Sequence, residues 1–193
     1  MADEHSSFLP RGTGAFLGGM LAAIVVSRLL PPLAAQAKGS TEAIFGSDPF
    51  DALAADHRHF LSLLTQMEES QARGRSNLYR THLLLRLKRG LAAHAMAEED
   101  VVYPLLHEEA RAEHEAKHLY GEHGDIKIHL YALEQMPKDD PAWTKRAGEL
   151  RRLIEEHARQ EEEVEFPKLR AALDGERIAR MAGHIHREKA LIL

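Results

Sequence analysis

Two stretches of this sequence carry the same arrangement of histidine and acid. Residues 94–106 read HAMAEEDVVYPLL and residues 157–169 read HARQEEEVEFPKL, so H-x-x-x-E-E-[DE]-V-x-[YF]-P-x-L occurs twice. His94 aligns with His157, Glu98 with Glu161, Tyr103 with Phe166 and Pro104 with Pro167. A histidine and a glutamate four residues apart lie on one face of a helix, one turn apart. Two such helices facing each other deliver two imidazoles and two carboxylates to a common point, a donor set suited to a metal ion.

The apolar residues around each repeat say which face that is. In the second helical segment Leu84, Leu87, Leu91, His94, Glu98, Val101 and Leu105 follow one another at steps of three and four; in the fourth, Leu150, Ile154, His157, Glu161 and Val164 do the same. That spacing is the seam of a bundle core, so both His–Glu pairs point inward. A buried glutamate without a partner is costly, and two at one level are worse. A cation removes the conflict. The first segment places Phe50, Leu53, His57, Phe60, Leu64 and Met67 on its seam, and the third places Leu119, His123, Ile126, Leu130 and Leu133. The core tally is four imidazoles, one per helix, and two carboxylates. There is no cysteine, which excludes disulfides, thiolate zinc and cysteine-ligated iron–sulfur clusters. Nitrogen and hard oxygen donors without sulfur suit iron or manganese, and two carboxylates able to bridge point to two ions.

The chain has 13 histidines, and the others fail the seam test. His59 lies about 200° round the helix from His57 and His114 about 180° from His123, at roughly 100° per residue. His118 and His129 fall off the stripe; His82, His107, His184 and His186 have no carboxylate at ligand spacing on a seam, and His5 lies in the leader. All read as solvated. Glu99, Glu162 and Glu163 read as solvated or as supports for the inner residues, with Glu162 an alternative ligand if the fourth helix winds differently there.

The elements that must position these groups are helical. Ala, Leu, Glu, Arg and Lys dominate and aromatics make up only 6%, which favours helix over sheet. Asp48-Pro49 and Asp140-Pro141 both offer an N-cap followed by a proline at the first helical position. The pattern predicts helices from there to about Ser70, from Leu78 to about Tyr103 with Pro104 marking its end or a kink, from Glu109 to Met136 with Gly121 and Gly124 as bending points, and from Pro141 to Leu173. A short terminal helix follows over about 176–190. Four long helices with short connections imply an all-α, antiparallel up-and-down four-helix bundle over 48–173, with 174–193 as a short C-terminal helix. The net charge of −5 offers no basic field for a nucleic-acid backbone, and that class of partner is set aside.

The first 47 residues have a different character. Gly14–Ser27 is apolar and uncharged, and after Arg28 the apolar run resumes to Ala35. Residues 1–35 therefore read as an N-terminal hydrophobic segment and 36–47 as a linker. The stretch 14–35 is long enough to span a bilayer of about 30 Å, which predicts membrane association; a cleaved signal ending at Ala35-Gln36-Ala37 and an interfacial or soluble helix are the rivals. Arg28 and Lys38 on the C-terminal flank, against Asp3, Glu4 and Arg11 before the stretch, favour a cytoplasmic bundle.

The segments DPFDALAADHRHF, HAMAEEDVVYPLL, EHGDIKIHLYALEQM and HARQEEEVEFPKL together resemble the four helices of hemerythrin-like HHE cation-binding domains, over about residues 47–173. The resemblance implies an up-and-down four-helix bundle holding a non-haem di-iron centre, two ions with an oxo or hydroxo bridge. Carried over position by position, it makes His57, His94, Glu98, His123, His157 and Glu161 the ligands. It also implies reversible binding or sensing of oxygen or a related small oxidant, with peroxide or nitric-oxide enzymology, or a metal-stabilised membrane-tethered interaction module, as alternatives. Oxygen carriers of this type show two histidines four apart on the third helix, whereas Leu119 and Lys127 stand four from His123. The pair His114 and His118 has that spacing and would serve in a shifted register. If His123 stands alone, one iron keeps an open or water-filled position, which favours sensing, peroxide chemistry or metal handling over simple carriage. Leu53, Phe60, Leu91, Ile126 and Ile154 are the expected walls.

Overall fold

The computed structural model describes residues 48–193, and all regular structure among them is helical. The apolar stretch 14–35 and the linker 36–47 lie outside the described residues. The helices are α1 (Pro49–Glu69), α2 (Asn77–Ala97), α3 (Tyr103–Glu108), α4 (Glu113–Gln135), α5 (Pro141–Gln160), α6 (Phe166–Ala172) and α7 (Gly175–Ile192). Two π-helical turns, Glu98–Val102 and Glu161–Glu165, join α2 to α3 and α5 to α6.

The starts follow from capping chemistry. Asp48 accepts from the Phe50 N–H at 2.9 Å and Asp140 from the Ala142 N–H at 2.8 Å, each with proline following. Ser76 caps α2 and Asp174 caps α7 in the same way. Chain direction is visible at the two ends of the bundle. At one end the α1–α2 turn meets the α4–α5 turn, where Arg80 donates to the Lys138 carbonyl (3.0 Å) and Gln71 to the Asp140 carbonyl (2.9 Å). At the other end Arg170 of α6 pairs with Asp48 at 2.8 Å. Consecutive long helices therefore run in opposite directions. α1 packs on α5 and α2, and α4 on α5, while α2 and α4 approach each other only sparsely.

Two apolar cores lie along the bundle axis. One joins Phe50, Leu53, Val102, Leu106, Leu119 and Leu169; the other joins Phe60, Leu64, Leu87, Leu133, Trp143 and Leu150. The polar seam residues of all four long helices sit in the layer between them.

Several sequence expectations need correction. Of the two expectations for Pro104, an end or a kink, the end is not seen: the second helical segment runs on to Glu108 through a π turn. In that turn Tyr103 N–H bonds the Glu98 carbonyl, five residues back, and Phe166 N–H bonds Glu161 likewise. Proline lacks an N–H, and Pro104 and Pro167 stand at the second position of the restarting helix, where none is needed. One extra residue in the turn rotates the following face by about 100°. Val102 and Glu165 consequently turn inward, each 2% exposed, and Leu106 replaces Leu105 in the core. Val164, placed on the seam by spacing, is 36% exposed; its repeat partner Val101 is buried because α7 packs there. α7 is also longer than the short helix expected: its 18 residues lie along α2 and bury Met181, Ala182 and Ile185. The third long helix starts at Glu113, after Arg111 in the left-handed region (φ 55°), and continues through Gly121 and Gly124 unbroken. Among the described residues no helix is long and apolar enough to cross a membrane.

Candidate metal centre

All six residues singled out by spacing meet in the polar layer. His57 and His94 approach Nε2 to Nε2 at 2.9 Å, and His123 and His157 at 3.2 Å. Glu98 lies between the two pairs, with Oε1 3.0 Å from His94 Nε2 and Oε2 3.5 Å from His123 Nε2. Glu161 does the same from the opposite helix, its Oε2 3.3 Å from His57 Nε2 and 3.4 Å from His157 Nε2. His57, His94, Glu98 and Glu161 form one compact donor set, and Glu98, His123 and His157 a second. The four histidines are at most 3% exposed and both glutamates fully buried.

Each imidazole is held from behind by a carboxylate. Nδ1 donates to Glu162 from His57 (2.8 Å), to Asp56 from His94 (3.0 Å), to Glu99 from His123 (2.9 Å) and to Glu122 from His157 (2.9 Å). An ionised carboxylate can only accept, so Nδ1 carries the proton and Nε2 of the neutral ring presents a lone pair inward. This is how metal-binding histidines are commonly oriented. The arrangement repeats the sequence symmetry: Asp56-His57 matches Glu122-His123, and Glu98-Glu99 matches Glu161-Glu162. Each outer acid is the sequence neighbour of an inner residue, about 100° further round its helix, and serves the histidine of an adjacent helix. Asp56 and Glu122 were missed by seam counting. The acid directly before His57 and before His123 was the available signal.

Symmetry breaks at Tyr103 and Phe166. The Tyr103 hydroxyl donates to Glu161 Oε1 at 2.8 Å and lies 3.0 Å from His123 Nε2. Phe166 has no hydroxyl and instead stacks on His57, ring centroids 6.4 Å apart. Burial and the charges of Glu98 and Glu161 raise the Tyr103 pKa well above 10, which keeps the phenol a donor there. Lys127 reaches Glu99 at 2.7 Å and Lys189 of α7 reaches Asp56, so two outer acids carry a lysine.

The layer as it stands calls for positive charge. Both oxygens of Glu98 and Oε2 of Glu161 are buried without a hydrogen-bond partner. The nearby Nε2 atoms supply a proton only when their rings are cationic; in the neutral tautomer lone pairs there face lone pairs. In the metal-free protein, protons take up this role. Burial opposes a charged His94, but Glu98 and Asp56 outweigh it and push the pKa up to about 10. Glu161 raises His57 against the same burial, and Glu98 raises His123. Burial would likewise raise Glu98, but His94, His123 and His57 hold it well below the ordinary carboxylate range. Unpaired carboxylate oxygens, inward imidazole lone pairs and the lack of sulfur fit a nitrogen- and oxygen-bound metal such as iron.

The remaining histidines lie elsewhere. His59, His82, His107, His114, His118 and His184 are exposed, which removes the shifted register built on His114 and His118. His129 and His186 are half-buried rather than solvated, and neither belongs to the two donor sets. Glu163 is exposed beside Arg159, and Glu162 supports His57 rather than joining the inner cluster.

Fold and site together define a helical bundle with a buried histidine–carboxylate cation-binding centre. The chain belongs to the hemerythrin HHE cation-binding domain family, whose profile matches residues 48–169. A protein named DNA nickase from Nostoc sp. (strain PCC 7120 / SAG 25.82 / UTEX 2576) is 27% identical over 142 residues, covering 74% of this chain and 39% of that protein. The chain thus spans about two fifths of that relative's length. No solved structure matches it.

Proposed function

We propose that this protein binds or senses dioxygen, or a related small oxidant, at a non-haem centre of two irons held by His57, His94, Glu98, His123, His157 and Glu161. The observation that carries the reading is the pair of buried donor sets sharing Glu98, with the Nδ1 of every imidazole held by an outer carboxylate and its Nε2 facing the cluster. Charge supports two ions rather than one. The six carboxylates Asp56, Glu98, Glu99, Glu122, Glu161 and Glu162, less Lys127 and Lys189, leave four negative charges, which two divalent cations balance.

Iron held by these six residues would, when reduced, supply the electrons that such a ligand requires. The protein's part is positional. Glu98 and Glu161, each set between both histidine pairs, fix the separation of the two metal positions. The outer acids hold the rings and raise their basicity. Tyr103 commits its hydroxyl proton to Glu161 and so holds that carboxylate in place on the His123 side of the layer. Phe60, Leu91, Ile126 and Ile154 limit water around the layer.

Iron content and the visible spectrum test the centre. His94→Ala and His157→Ala should each lose iron, whereas His59→Ala should retain it; equal iron in all three sinks the assignment. Mixing the reduced protein with oxygen separates binding from catalysis: a persistent spectral change supports binding, and sustained oxygen or peroxide consumption supports the enzyme alternative.

The named relative favours a second reading, metal-dependent nicking of DNA. Conversion of supercoiled plasmid to open circles by the iron-loaded protein, lost in His94→Ala, would establish it over oxidant binding. Residues 14–35 are proposed as a membrane tether with the bundle on the cytoplasmic side, and recovery of the full chain in the soluble fraction would overturn that.

A further inference from the structure

The sparse α2–α4 seam opens into a cleft of about 490 Å³ that runs from the surface to His94, His123 and His157. Dioxygen or peroxide needs only a small part of that space, since one water occupies about 30 Å³ of liquid. The volume falls in the range of sites for organic molecules, about 300–1,000 Å³. The inner walls are aliphatic: Leu91 from α2, Ile126 and Leu130 from α4, and Ile154 from α5. The outer rim carries Tyr131, which is 64% exposed.

Charge at the mouth narrows the class of occupant. The two rim lysines are engaged across the opening, Lys88 of α2 with Glu134 of α4 at 2.7 Å, and Lys127 of α4 with Glu99 at 2.7 Å. Asp100 adds an exposed negative group. An anionic headgroup therefore meets paired lysines and an unpaired acid, and a cation would have to displace a lysine from its glutamate. A neutral molecule meets neither penalty.

We propose that the α2–α4 cleft binds a neutral, apolar organic molecule, of one to three fused rings or a medium-length chain, with its inner end against the histidine layer. The proposal rests on the metal reading for what that end faces; the walls that hold the molecule are independent of it. Such a ligand would lie where it can block access of a small oxidant, which adds an effector to the centre.

The test uses the full-length, iron-loaded protein and the neutral fluorophore 1-aminoanthracene, followed by fluorescence anisotropy. Saturable binding of one probe per chain is expected. Ala92→Trp, at an exposed position lining the cleft, and Leu130→Trp, deeper within it, should each weaken the probe at least tenfold. Ala172→Trp, exposed and outside the cleft, should leave it unchanged. The anionic probe 8-anilinonaphthalene-1-sulfonate should bind at least tenfold more weakly than the neutral one. Circular dichroism and iron content are read on the same samples. Ala92→Trp preserves the surface position even if Leu130→Trp fails to fold, so it decides the matter alone. Unsaturable binding, binding unchanged in Ala92→Trp, or an anionic probe that binds as tightly overturns the proposal. A wild-type protein that holds no iron yet shows the expected probe isotherm overturns the metal reading and leaves the cleft assignment standing.

Discussion

The acids behind the histidines offer the sharpest test of the site, and Glu122 is the clearest of them. It accepts a 2.9 Å hydrogen bond from His157 Nδ1, and its side chain is 22% exposed. Glu122→Ala removes the carboxylate that fixes Nδ1 of that ring, so the imidazole can rotate or carry its proton on Nε2, where it cannot bind a cation. Losing such a support typically weakens metal binding about 10- to 100-fold, or roughly 1.4–2.7 kcal/mol. Because water can reach part of the vacated position, the lower end is expected, about tenfold. Glu122→Gln keeps an acceptor oxygen without the charge and should lose less. Asp56→Ala, the symmetry equivalent, should match Glu122→Ala or exceed it, because it also strands Lys189. Glu163→Ala removes a glutamate that is 66% exposed and touches no imidazole, and should have no effect. Anaerobic iron(II) titration against a competing chelator, with circular dichroism as a control for folding, measures all four. Wild-type affinity in Glu122→Ala, or equal weakening in Glu163→Ala, would refute the reasoning.

Other perturbations probe the surrounding scaffold. A Cβ at Gly90 would stand 2.7 Å from Phe60 Cε1, and Phe60 packs edge-on against His94; Gly90→Ala should therefore lose stability by about 1–2 kcal/mol in urea denaturation, overpacking outweighing the gain of about 1 kcal/mol in helix propensity. Val164→Lys should change stability by less than about 0.5 kcal/mol, whereas Val101→Lys, at the equivalent position under α7, should unfold far more readily. In the metal-free protein His94 is raised from 6.5 to about 10, so its contribution is fully present below pH 6.5 and is lost as pH rises through 10. Thermal melts at those two values should show a larger fall for chelator-treated than for iron-loaded protein, and parallel falls would refute it.

Spacing alone determined the inner cluster of this protein. A side chain that replaces an aliphatic residue at a three- or four-residue step must face the core, and six polar groups do so on four helices. The repeated H-x-x-x-E then fixed their order, since the period of a helix is set by local backbone geometry. Helix starts were legible for the same reason: Asp-Pro caps act within a few residues.

Only the packed structure decided what depends on contacts between helices. The π turns follow from no local preference that a three- and four-step count can see, yet they turn Glu165 inward and leave Val164 outside. Asp56 and Glu122 sit off the seam of their own helices and acquire a role only because a neighbouring helix brings a histidine to them. The repeat aligned Tyr103 with Phe166 as similar residues, and packing made one a donor to Glu161 and the other a stacking surface for His57. α7 covers one half of a nearly symmetric bundle and not the other, and the α2–α4 seam was left loose. Such differences arise from long-range packing, which no single helix encodes.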